Sequence, residues 1–590
     1  MRIAVLDKDT CQPKKCSYEC VKYCPGVRMK EETVIIDEKT GKPIISEELC
    51  SGCGICIKRC PFESITVINL PEELEEESIH RYGLNQFKLY GLPYPLESGV
   101  VGLIGPNGIG KTTAINILSG EIKPNLGRFE DPPDWDEVIL SFRGSEIQKY
   151  LENLSKGKIK AIHKPQYIEG LSRAVSGCVK DLLKNIDERD QLKNLIEMLD
   201  LESFLNKDIK ELSGGELQRV AISACLLKEG DVYLIDEPSS YLDVRQRVNV
   251  ARAIQELAKE KMVVVVEHDL VILDWICDYV QILYGKPGVY GIITHPKSVR
   301  VGINEYLEGY LREENVRFRK ERVTFEIRPP SRPTEGEELL TYPKLTKKYD
   351  GFSLKCNAGS LIKREIVGVL GPNAIGKTTF VKMLAGVLKP STGTLDLNIK
   401  VSYKPQYLSP EYEETVLELL SKVTKEFGTS RYENEILKPL QLEKLLNQRI
   451  NELSGGELQR VAIALCLSRE ADIYLLDEPS AYLDVEQRIS LTKMLRRLME
   501  QREKTALVVD HDVLLIDYLS DRIMIFDGYP GIQGESIGPL EKRDGMNHFL
   551  RKMNITFRRD KETGRPRINK EGSKLDREQK MAGEYYYVIS

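Results

Sequence analysis

Long hydrophobic runs are missing from this 590-residue sequence. The longest, such as Met262–Val266, fall well short of the roughly 20 apolar residues that a membrane-spanning helix requires, and they suit strands buried in a parallel sheet. At the N-terminus, charge returns at Asp7 before the apolar core of a signal peptide can form. We therefore expect a soluble, intracellular protein with a cytoplasmic location.

A surplus of one charge is also lacking. The sequence has 85 Lys and Arg against 90 Asp and Glu, a net charge of -5, which by itself neither indicates nor excludes a nucleic-acid partner. The charge is unevenly spread, because residues 541–590 hold 13 basic and 8 acidic residues. A chain of this length is too long for one hydrophobic core, so about three to five domains are expected.

Cysteine is scarce after the first 60 residues, which hold eight of the 13 cysteines. Four of these eight have the spacing C-x2-C-x2-C-x3-C-P, from Cys50 to Pro61, which is typical of bacterial-type ferredoxins. In that arrangement three cysteines hold one 4Fe–4S cluster and the fourth ligates the other. An earlier and looser group also ends in Cys-Pro, at Cys24. The predicted metal ligands are Cys24, Cys50, Cys53 and Cys56 for one cluster and Cys11, Cys16, Cys20 and Cys60 for the other.

Two other uses compete for these cysteines. Disulfides need an oxidising compartment, and the N-terminus gives no sign of secretion. A pair of four-cysteine zinc sites is chemically feasible, but the x2-x2-x3-Pro spacing favours iron. Spacing alone leaves open whether the clusters would transfer electrons or only stabilise the domain.

Two segments match the phosphate-binding loop pattern G-x-x-x-x-G-K-S/T, and the first of them follows the apolar strand Val100–Ile104 and opens a helix. In such loops, backbone N–H groups surround the phosphates, the lysine reaches the β and γ oxygens, and the hydroxyl after it ligates magnesium. The predicted nucleotide-binding residues are Gly105, Asn107, Gly108, Gly110, Lys111, Thr112 and Thr113 in the first loop, and Gly371, Asn373, Gly376, Lys377, Thr378 and Thr379 in the second.

A twelve-residue stretch, Glu211–Ile222, recurs without change at Glu452–Ile463. It predicts a turn on two glycines that opens a helix, where bare backbone N–H groups suit an anionic phosphate. A plain helix cap is the alternative, but each copy stands between a phosphate loop and an acidic strand. The candidate nucleotide contacts are Ser213, Gly215 and Glu216 in the first copy and Ser454, Gly456 and Glu457 in the second.

After each copy an apolar strand ends in Asp-Glu-Pro, at Asp236-Glu237 and at Asp477-Glu478. There the aspartate can hold the magnesium shell, and the glutamate can orient or deprotonate the attacking water. A solvated sheet edge is the alternative interpretation. A histidine then follows a further apolar strand in each repeat, and its recurrence favours a γ-phosphate contact over a structural role. The predicted catalytic residues are Glu237, His268, Glu478 and His511.

In this order the motifs resemble those of the ABC-type ATPases. The resemblance assigns glutamine loops to Gln166 and Gln406 and Tyr-Leu-Asp loops to Asp243 and Asp484. It implies an α/β fold with two P-loop nucleotide-binding domains paired head to tail, so that Lys111 shares one ATP with Ser454, and Lys377 shares the other with Ser213. It also implies aromatics that stack on adenine, with a place in the core as the alternative. The candidates are Tyr82, Phe87, Tyr349 and Phe352.

Segments outside these motifs complete the predicted domain organisation. The first unit has a helical insertion, which is interpreted either as a docking surface or as a plain surface elaboration. The acidic stretch 71–77 is predicted to link the cysteine-rich N-terminal part of the chain to the first unit. Each unit ends in a matching basic arm, which could touch nucleic acid phosphate or fix the two units together. The second role is favoured for the first arm, and both roles are expected for the second arm. The first arm continues into a stiff linker containing Pro329, Pro330 and Pro333. The predicted boundaries are 1–72 for a ferredoxin-like domain with two 4Fe–4S clusters, 73–295 for the first ABC domain with its insertion at about 130–160, 296–340 for hinge arm 1, 341–540 for the second ABC domain and 541–590 for hinge arm 2.

The combination of a two-cluster head with twin ABC units resembles one family along the whole chain, the ABC subfamily E ATPases, also known as the RNase L inhibitor family. The resemblance implies an ATP- and Mg²⁺-dependent monomer that splits ribosomes into subunits after termination or rescue. Its partners would be the small subunit, with its rRNA and proteins, and release factor one or a Pelota-like factor, without any membrane. An ATP-gated redox machine is the alternative, as is another nucleic-acid-associated ABC protein, although the absence of heptad runs disfavours a DNA-repair ABC ATPase.

Overall fold

A computed structural model describes most of the chain. The described residues leave out Met1, Asp9, 70–77, Glu169, Thr324, 326–336, 396–397, 407–412 and 587–590. Two predicted features therefore lie outside the described residues, the acidic linker at 71–77 and the proline-rich linker at 329–333. Within the described part of the chain, no helix has the length and apolar character needed to cross a membrane.

A small head made of two antiparallel strand pairs and short helices precedes the first unit. Its buried apolar side chains are few, and they pack directly against cysteines. A core this small rarely stabilises a domain without disulfides or a metal, so the cysteines are central to its fold. The strands are Arg2–Leu6 paired with Ile65–Asn69, and Val34–Ile36 paired with Pro43–Ile45; the helices are Glu19–Lys22, Pro25–Arg28 and Ile55–Arg59.

The first unit is built on a nine-stranded sheet whose central strands are parallel and buried. Their β-branched, fully apolar sequences explain this, since helices cover both faces of such a sheet. The strands are His80–Arg81, Lys88–Tyr90, Val100–Ile104, Ala161–Lys164, Val232–Asp236, Met262–Val266, Tyr279–Lys286, Tyr290–Ile293 and Lys297–Ser298. The helices are Lys111–Leu118, Trp135–Ser141, Ile147–Ser155, Leu171–Ala174, Val179–Asn185, Leu192–Met198, Gly214–Leu227, Val244–Leu257 and Leu270–Ile276.

The second unit repeats this topology in an eight-stranded sheet with an additional strand pair. The strands of the sheet are Leu345–Tyr349, Phe352–Cys356, Ile366–Leu370, Val401–Lys404, Ile473–Asp477, Thr505–Val509, Arg522–Tyr529 and Gln533–Glu541, and the pair is Glu338–Tyr342 with Gly359–Ile362. The helices are Lys377–Leu384, Val416–Val423, Ser430–Tyr432, Gly455–Ser468, Val485–Arg502 and Val513–Leu519, with a π-helical stretch at Glu433–Leu437.

The parallel strands bring the predicted motifs to one edge of each sheet. In the first unit, Val100–Ile104 pairs with Met262–Val266, which in turn pairs with Val232–Asp236. The phosphate loop, His268 and Glu237 each follow one of these strands. Because parallel strands end at the same edge, these three elements meet there. Ile366–Leu370, Thr505–Val509 and Ile473–Asp477 repeat the arrangement in the second unit.

The insertion in the first unit consists of two short helices, Trp135–Ser141 and Ile147–Ser155. Ile147 and Leu151 are buried against the core of the unit, as their helical spacing predicts. Leu140 on the other helix is 63% exposed. Val138 on this helix is fully buried in the same core, so both helices anchor the insertion while the first also presents Leu140 outward.

The two arms cross the seam between the units. The first arm contains the helix Val299–Glu308 and the strands Tyr310–Leu311 and Val316–Arg317. From it, Arg319 donates to Glu486 of the second unit at 3.1 Å. The second arm contains the strands Phe557–Arg559 and Pro566–Ile568 and the helices Lys542–Met553 and Lys574–Ala582.

A buried ion cluster anchors the second arm on the first unit. The carboxylate of Asp274 accepts hydrogen bonds from Arg565 at 3.0 Å and from Arg567 at 2.6 and 2.9 Å. Asp560 on the second arm accepts from Arg300 at 3.2 Å and from Asn304 at 3.2 Å, both on the first arm. The arms thus fix the two units together, which is the role the sequence favoured for the first arm.

We expect Asp274→Asn to loosen the second arm. Arg565 has no exposed side-chain surface, so the substitution leaves a buried guanidinium without its carboxylate. Breaking such a pair costs about 3–5 kcal/mol, which calorimetry should register as a lower Tm and limited proteolysis as faster cleavage of the arm. Arg300→Ala is the control, since Arg300 is 48% exposed and such pairs are worth about 0–1 kcal/mol. Equal losses of stability in both variants would contradict this account.

Candidate nucleotide-binding and cluster sites

Each phosphate loop folds around its own lysine. Lys111 Nζ donates to the carbonyls of Gly105 at 2.9 Å and Pro106 at 2.8 Å, and Lys377 Nζ donates to the corresponding carbonyls of the second loop at 2.8 and 2.6 Å. Burial lowers the pKa of both lysines. Each ammonium is thus held within the loop, where phosphate oxygens would replace the carbonyls as its acceptors.

The glycine immediately before the lysine of each phosphate loop is required by the geometry of the loop. Gly110 has φ 102°, a conformation that side-chain-bearing residues rarely adopt, and a Cβ there would lie 2.7 Å from Phe87 Cζ. Gly376 repeats this with φ 103° and Phe352 Cζ at 3.2 Å. The helix that follows each glycine therefore starts with its N–H groups free to face a phosphate.

A pair of aspartates lies beside the loop hydroxyls. Thr112 Oγ1 is 3.5 Å from Asp236 Oδ2, and both carboxylate oxygens of Asp477 are buried without a hydrogen-bond partner in the described part of the chain. Burial raises the pKa of Asp236 to about 7 and that of Asp477 to about 6. A divalent cation would stabilise both carboxylates in their charged form, so the residues present fit a hydroxyl- and carboxylate-bound Mg²⁺.

The predicted catalytic side chains come together in each unit. Gln166 Nε2 donates to Glu237 Oε1 at 2.6 Å, and His268 Nε2 is 3.5 Å from the same oxygen. The equivalent distances around Glu478 are 2.8 Å from Gln406 and 3.5 Å from His511. The glutamine loop and the histidine thus hold one glutamate from two sides.

The electrostatics of these groups favour neutral histidines in both units and a charged glutamate at Glu478. Burial lowers the pKa of His268 and His511, and the cationic lysine of the phosphate loop lowers it further. For Glu478, burial acts upward, but the hydrogen bond with His511 and the charge of Lys377 outweigh burial and lower its pKa. A carboxylate of this kind is ionised at any physiological pH.

The two units face each other head to tail. The backbone N–H of Asn107, in the first phosphate loop, donates to Asp484 Oδ2 of the second unit at 3.0 Å. The backbone N–H of Asn373 donates to Asp243 Oδ2 of the first unit at 2.9 Å. A Cβ on Gly215 would lie 3.8 Å from Asn373 Nδ2, so the glycine-rich turn of one unit faces the phosphate loop of the other.

Contacts across the seam are not equal at the two sites. Asn373 Nδ2 also donates to the carbonyl of Tyr241 at 3.1 Å, and Arg247 Nη1 donates to the carbonyl of His511 at 3.3 Å. Neither bond is repeated at the equivalent positions of the other site, all of which the structure describes. The site built on Lys377 is therefore the more tightly joined of the two.

The glycine-rich turns cap their own helices. Ser213 accepts a hydrogen bond from the backbone N–H of Glu216 at 3.4 Å and donates its hydroxyl to the Glu216 carboxylate at 2.8 Å. Ser454 donates to Glu457 at 2.7 Å in the same way. Both glutamates, predicted as nucleotide contacts, are thus placed where they orient the serine hydroxyl.

The aromatic candidates separate into two kinds. Tyr82 and Tyr349 are 48% and 46% exposed, and the hydroxyl of Tyr82 is 3.0 Å from that of Thr113 beside the phosphate loop. Phe87 and Phe352 instead pack beneath the loop glycines. The geometry favours the tyrosines for stacking on adenine and the core alternative for the phenylalanines.

The head holds two cavities lined by cysteines. One is lined by Cys24, Cys50, Cys53 and Cys56, and the other by Cys11, Cys16, Cys20 and Cys60, the two sets that the spacing predicts. None of these cysteines forms a disulfide. Burial raises the pKa of Cys20 to about 12 and that of Cys56 to about 11, so a cationic metal centre is what would hold them as thiolates. The donor sets fit iron–sulfur clusters.

The head contacts the loop between the strands His80–Arg81 and Lys88–Tyr90, which contains Tyr82 and Phe87. Glu47 of the head is 3.2 Å from Arg81 and 2.9 Å from Lys88, whose side chain is buried. Asn85 Nδ2 donates to the carbonyls of Ala4 and Ile45 at 2.9 Å. Tyr82 and the head are therefore held by the same short loop.

The sequence did not reveal that in each unit a buried lysine donates a hydrogen bond to the turn that carries the predicted catalytic glutamate. Lys164 and Lys404 precede the predicted glutamine loops and contact the main chain of Glu237 and Glu478. The exact repetition of Lys-Pro-Gln-Tyr was the available signal, but only the glutamine of that motif was singled out.

Family comparisons match both parts of this architecture. The ABC transporter family matches residues 96–240 and 350–481. A family described as a possible Fer4-like domain in RNase L inhibitor matches residues 1–32, and the 4Fe-4S binding domain family matches residues 43–66. The α/β fold, the ATPase units and an iron–sulfur head are thus confirmed.

Similar proteins match along the whole chain. A Methanocaldococcus jannaschii ABC transporter ATP-binding protein is 58% identical, covering 100% of this chain and 98% of its own. The translation initiation factor RLI1 of Saccharomyces cerevisiae is 46% identical, again over 100% of this chain and 98% of its own. Among solved structures, a chain of the model of ribosome-bound archaeal Pelota and ABCE1 has a TM-score of 0.94 and 53% identity, covering 100% of this chain and 99% of that one.

Proposed function

Because the chain belongs to the ABC subfamily E, or RNase L inhibitor, family, we propose that it is the ATPase that splits ribosomes into subunits after termination or rescue and then remains on the small subunit. The observation that carries this is the full-length likeness to a chain from a ribosome-bound complex with Pelota. The alternatives of an ATP-gated redox machine or another nucleic-acid-associated ABC protein are not favoured, since the likeness extends over the head, both units and both arms.

The force would come from ATP binding. Each triphosphate lies between the phosphate loop of one unit and the glycine-rich turn of the other, Lys111 with Ser454 and Lys377 with Ser213. Changing a two-state balance from 1:99 to 99:1 takes about 5.5 kcal/mol of differential binding. Charge-assisted hydrogen bonds contribute roughly 1.5–3 kcal/mol each. A few such bonds, made only when the units close, are therefore enough to drive closure.

Hydrolysis would then reset the units. Glu237 and Glu478 face the γ-phosphate position, and each is held by a glutamine and a neutral histidine. The low pKa of Glu478 makes it a weak base, so it orients the attacking water rather than removing its proton early. The histidine, uncharged in its buried position, can donate one hydrogen bond to the γ-phosphate.

Two further cofactor assignments belong to this proposal. Thr112 with Asp236, and Thr378 with Asp477, would hold Mg²⁺, which neutralises phosphate charge when bound. The head would hold two 4Fe–4S clusters, with Cys24 and Cys60 exchanged between the two groups. The domain boundaries proposed are 1–72, 73–295, 296–340, 341–540 and 541–590.

The partners follow from the same assignment. Small-subunit rRNA and proteins would contact the insertion and the basic arms, and release factor one or a Pelota-like factor would contact the head. The protein would act in the cytoplasm as a monomer, because both halves of each ATP site are present in one chain.

Sedimentation with ribosomes tests the proposed function. We expect the chain to pellet with purified small subunits when a non-hydrolysable ATP analogue is present, and to remain in the supernatant without it. The double variant Glu237→Gln, Glu478→Gln should do the same with ordinary ATP, because it closes without hydrolysing. Large subunits serve as the control. Nucleotide-independent pelleting, or none at all, would refute the proposal.

Metal-dependent nucleotide binding should depend on pH. The raised pKa values of Asp236 and Asp477 mean that both carboxyls are protonated at about pH 5 and ionised at about pH 8. Because Mg²⁺ needs the ionised form, we expect the affinity for Mg–ATP to rise over that range and then level off. Titration calorimetry would measure it. Asp236→Asn with Asp477→Asn controls for titration of the nucleotide itself, and an equal pH dependence in that variant would contradict the assignment.

Paired cysteine variants test the exchange of ligands. With exchanged ligands, Cys24→Ser with Cys50→Ser damages one cluster and should retain about four iron atoms, whereas Cys24→Ser with Cys11→Ser damages both and should retain about none. Iron and sulfide analysis measures this, with Cys225→Ser, a buried thiol in the first unit, as the control. The opposite pattern would show that Cys24 serves its own group.

A further inference from the structure

A buried lysine precedes the glutamine loop in each unit. The side chains of Lys164 and Lys404 are 2% and 1% exposed. Among the described residues neither forms a direct ion pair, although the charges of the neighbouring Asp-Glu pair act on each of them. An ammonium group that is buried without a direct ion pair is costly unless hydrogen bonds satisfy it.

The acceptors of both lysines are main-chain carbonyls of the catalytic turn. Lys164 Nζ donates to the carbonyl of Asp236 at 2.8 Å and to that of Glu237 at 3.3 Å. Lys404 Nζ repeats the contacts with Asp477 at 2.8 Å and Glu478 at 3.3 Å. Two copies of the same buried geometry argue against an accident of packing.

The turn that receives these hydrogen bonds is strained. Glu237 and Glu478 have φ values of 47° and 48°, in the left-handed region that residues with a side chain seldom occupy. Such conformations persist only where the surroundings enforce them, and they concentrate at active sites. The left-handed backbone decides where each carboxylate points.

A second buried donor acts on the same carbonyl. Gln218 Nε2 donates to the carbonyl of Glu237 at 2.8 Å, and Gln459 Nε2 donates to that of Glu478 at 2.7 Å. Each glutamine lies on the helix whose glycine-rich start faces the other ATP site. The carbonyl of each catalytic glutamate thus accepts two hydrogen bonds. One comes from the lysine on the strand before the glutamine loop, and the other comes from a glutamine on the helix whose start faces the other ATP site.

We propose that Lys164 and Lys404 are positioning residues for hydrolysis, each holding the left-handed main chain of the catalytic glutamate in its own unit. The inference rests on the proposed roles of Glu237 and Glu478. In each unit one short segment then fixes the glutamate twice, by the lysine at its main chain and by the glutamine two residues later at its carboxylate. Closure at one nucleotide also reaches the other glutamate through Gln218 or Gln459.

Site-specific kinetics test this proposal. In a Glu478→Gln background the Lys111 site keeps the only catalytic glutamate, and there we expect Lys164→Met to lower kcat about 10- to 100-fold, since a displacement of about 1 Å can cost 10²-fold. The KM for ATP should change less than about threefold, because Lys164 contacts only main-chain carbonyls of Asp236 and Glu237 and not the side chains that would hold Mg²⁺ and the nucleotide. Lys404→Met should have the same effect in a Glu237→Gln background.

The reciprocal combination is the matched control. Lys404→Met in the Glu478→Gln background removes an equally buried lysine beside a glutamate that is already replaced, so its loss of kcat should be much smaller. Equal losses from both lysines, or a higher KM with unchanged kcat, would overturn the proposal.

Two further measurements keep the test decisive. If Lys164→Met lowers the Tm so far that the assay fails, Gln218→Met replaces it, because Gln218 is the second donor to the same carbonyl. We expect Gln218→Met to lower kcat and leave KM unchanged. An unchanged kcat would count against the proposal. ATP binding and ribosome sedimentation by the unaltered protein test the proposed function separately, because neither depends on where the glutamate points.

Discussion

Two reciprocal hydrogen bonds across the seam define this molecule. The phosphate loop of each unit donates a backbone N–H to an aspartate of the other, Asn107 to Asp484 and Asn373 to Asp243. Each aspartate also caps the helix that begins beside it, so the contact links the rigid body of one unit to the ligand loop of the other. Neither ATP site can be complete without both units, and this makes nucleotide occupancy a property of the pair.

The arms and the ion clusters keep that pairing intramolecular. Asp274 holds the end of the chain against the first unit through Arg565 and Arg567, while Arg319 of the first arm reaches the second unit. The Arg319 bond to Glu486 lies two residues from Asp484, which contacts the first phosphate loop. The arms therefore hold the two units together within one chain.

Much of the site was predictable because its chemistry is local in sequence. The phosphate loops, the Asp-Glu strand ends and the cysteine groups each carry their function within a few residues, and the parallel strands bring them together. Contacts between distant segments were not predictable in this way. Nothing in the local pattern around Lys164 indicates that its ammonium meets the carbonyl of Glu237, and nothing around Glu47 indicates that it docks on Arg81 and Lys88. Phe87 could not be separated from Tyr82 by spacing, because only packing shows which ring lies under the loop glycine.

The head contacts the loop that contains Tyr82 in the first unit, so the two candidate adenine-binding tyrosines, Tyr82 and Tyr349, have different surroundings. The loop between Arg81 and Lys88 contacts the head and also contains Tyr82. Among the described residues, no hydrogen bond or ion pair joins the head to Tyr349, which is exposed. On the second unit the equivalent loop lies between Tyr349 and Phe352, where Tyr349, Asp350 and Gly351 are all exposed. With adenine stacked on Tyr82 as proposed, occupancy of the first nucleotide site would be transmitted to the iron–sulfur head through this loop, and occupancy of the second site would not reach the head by that route.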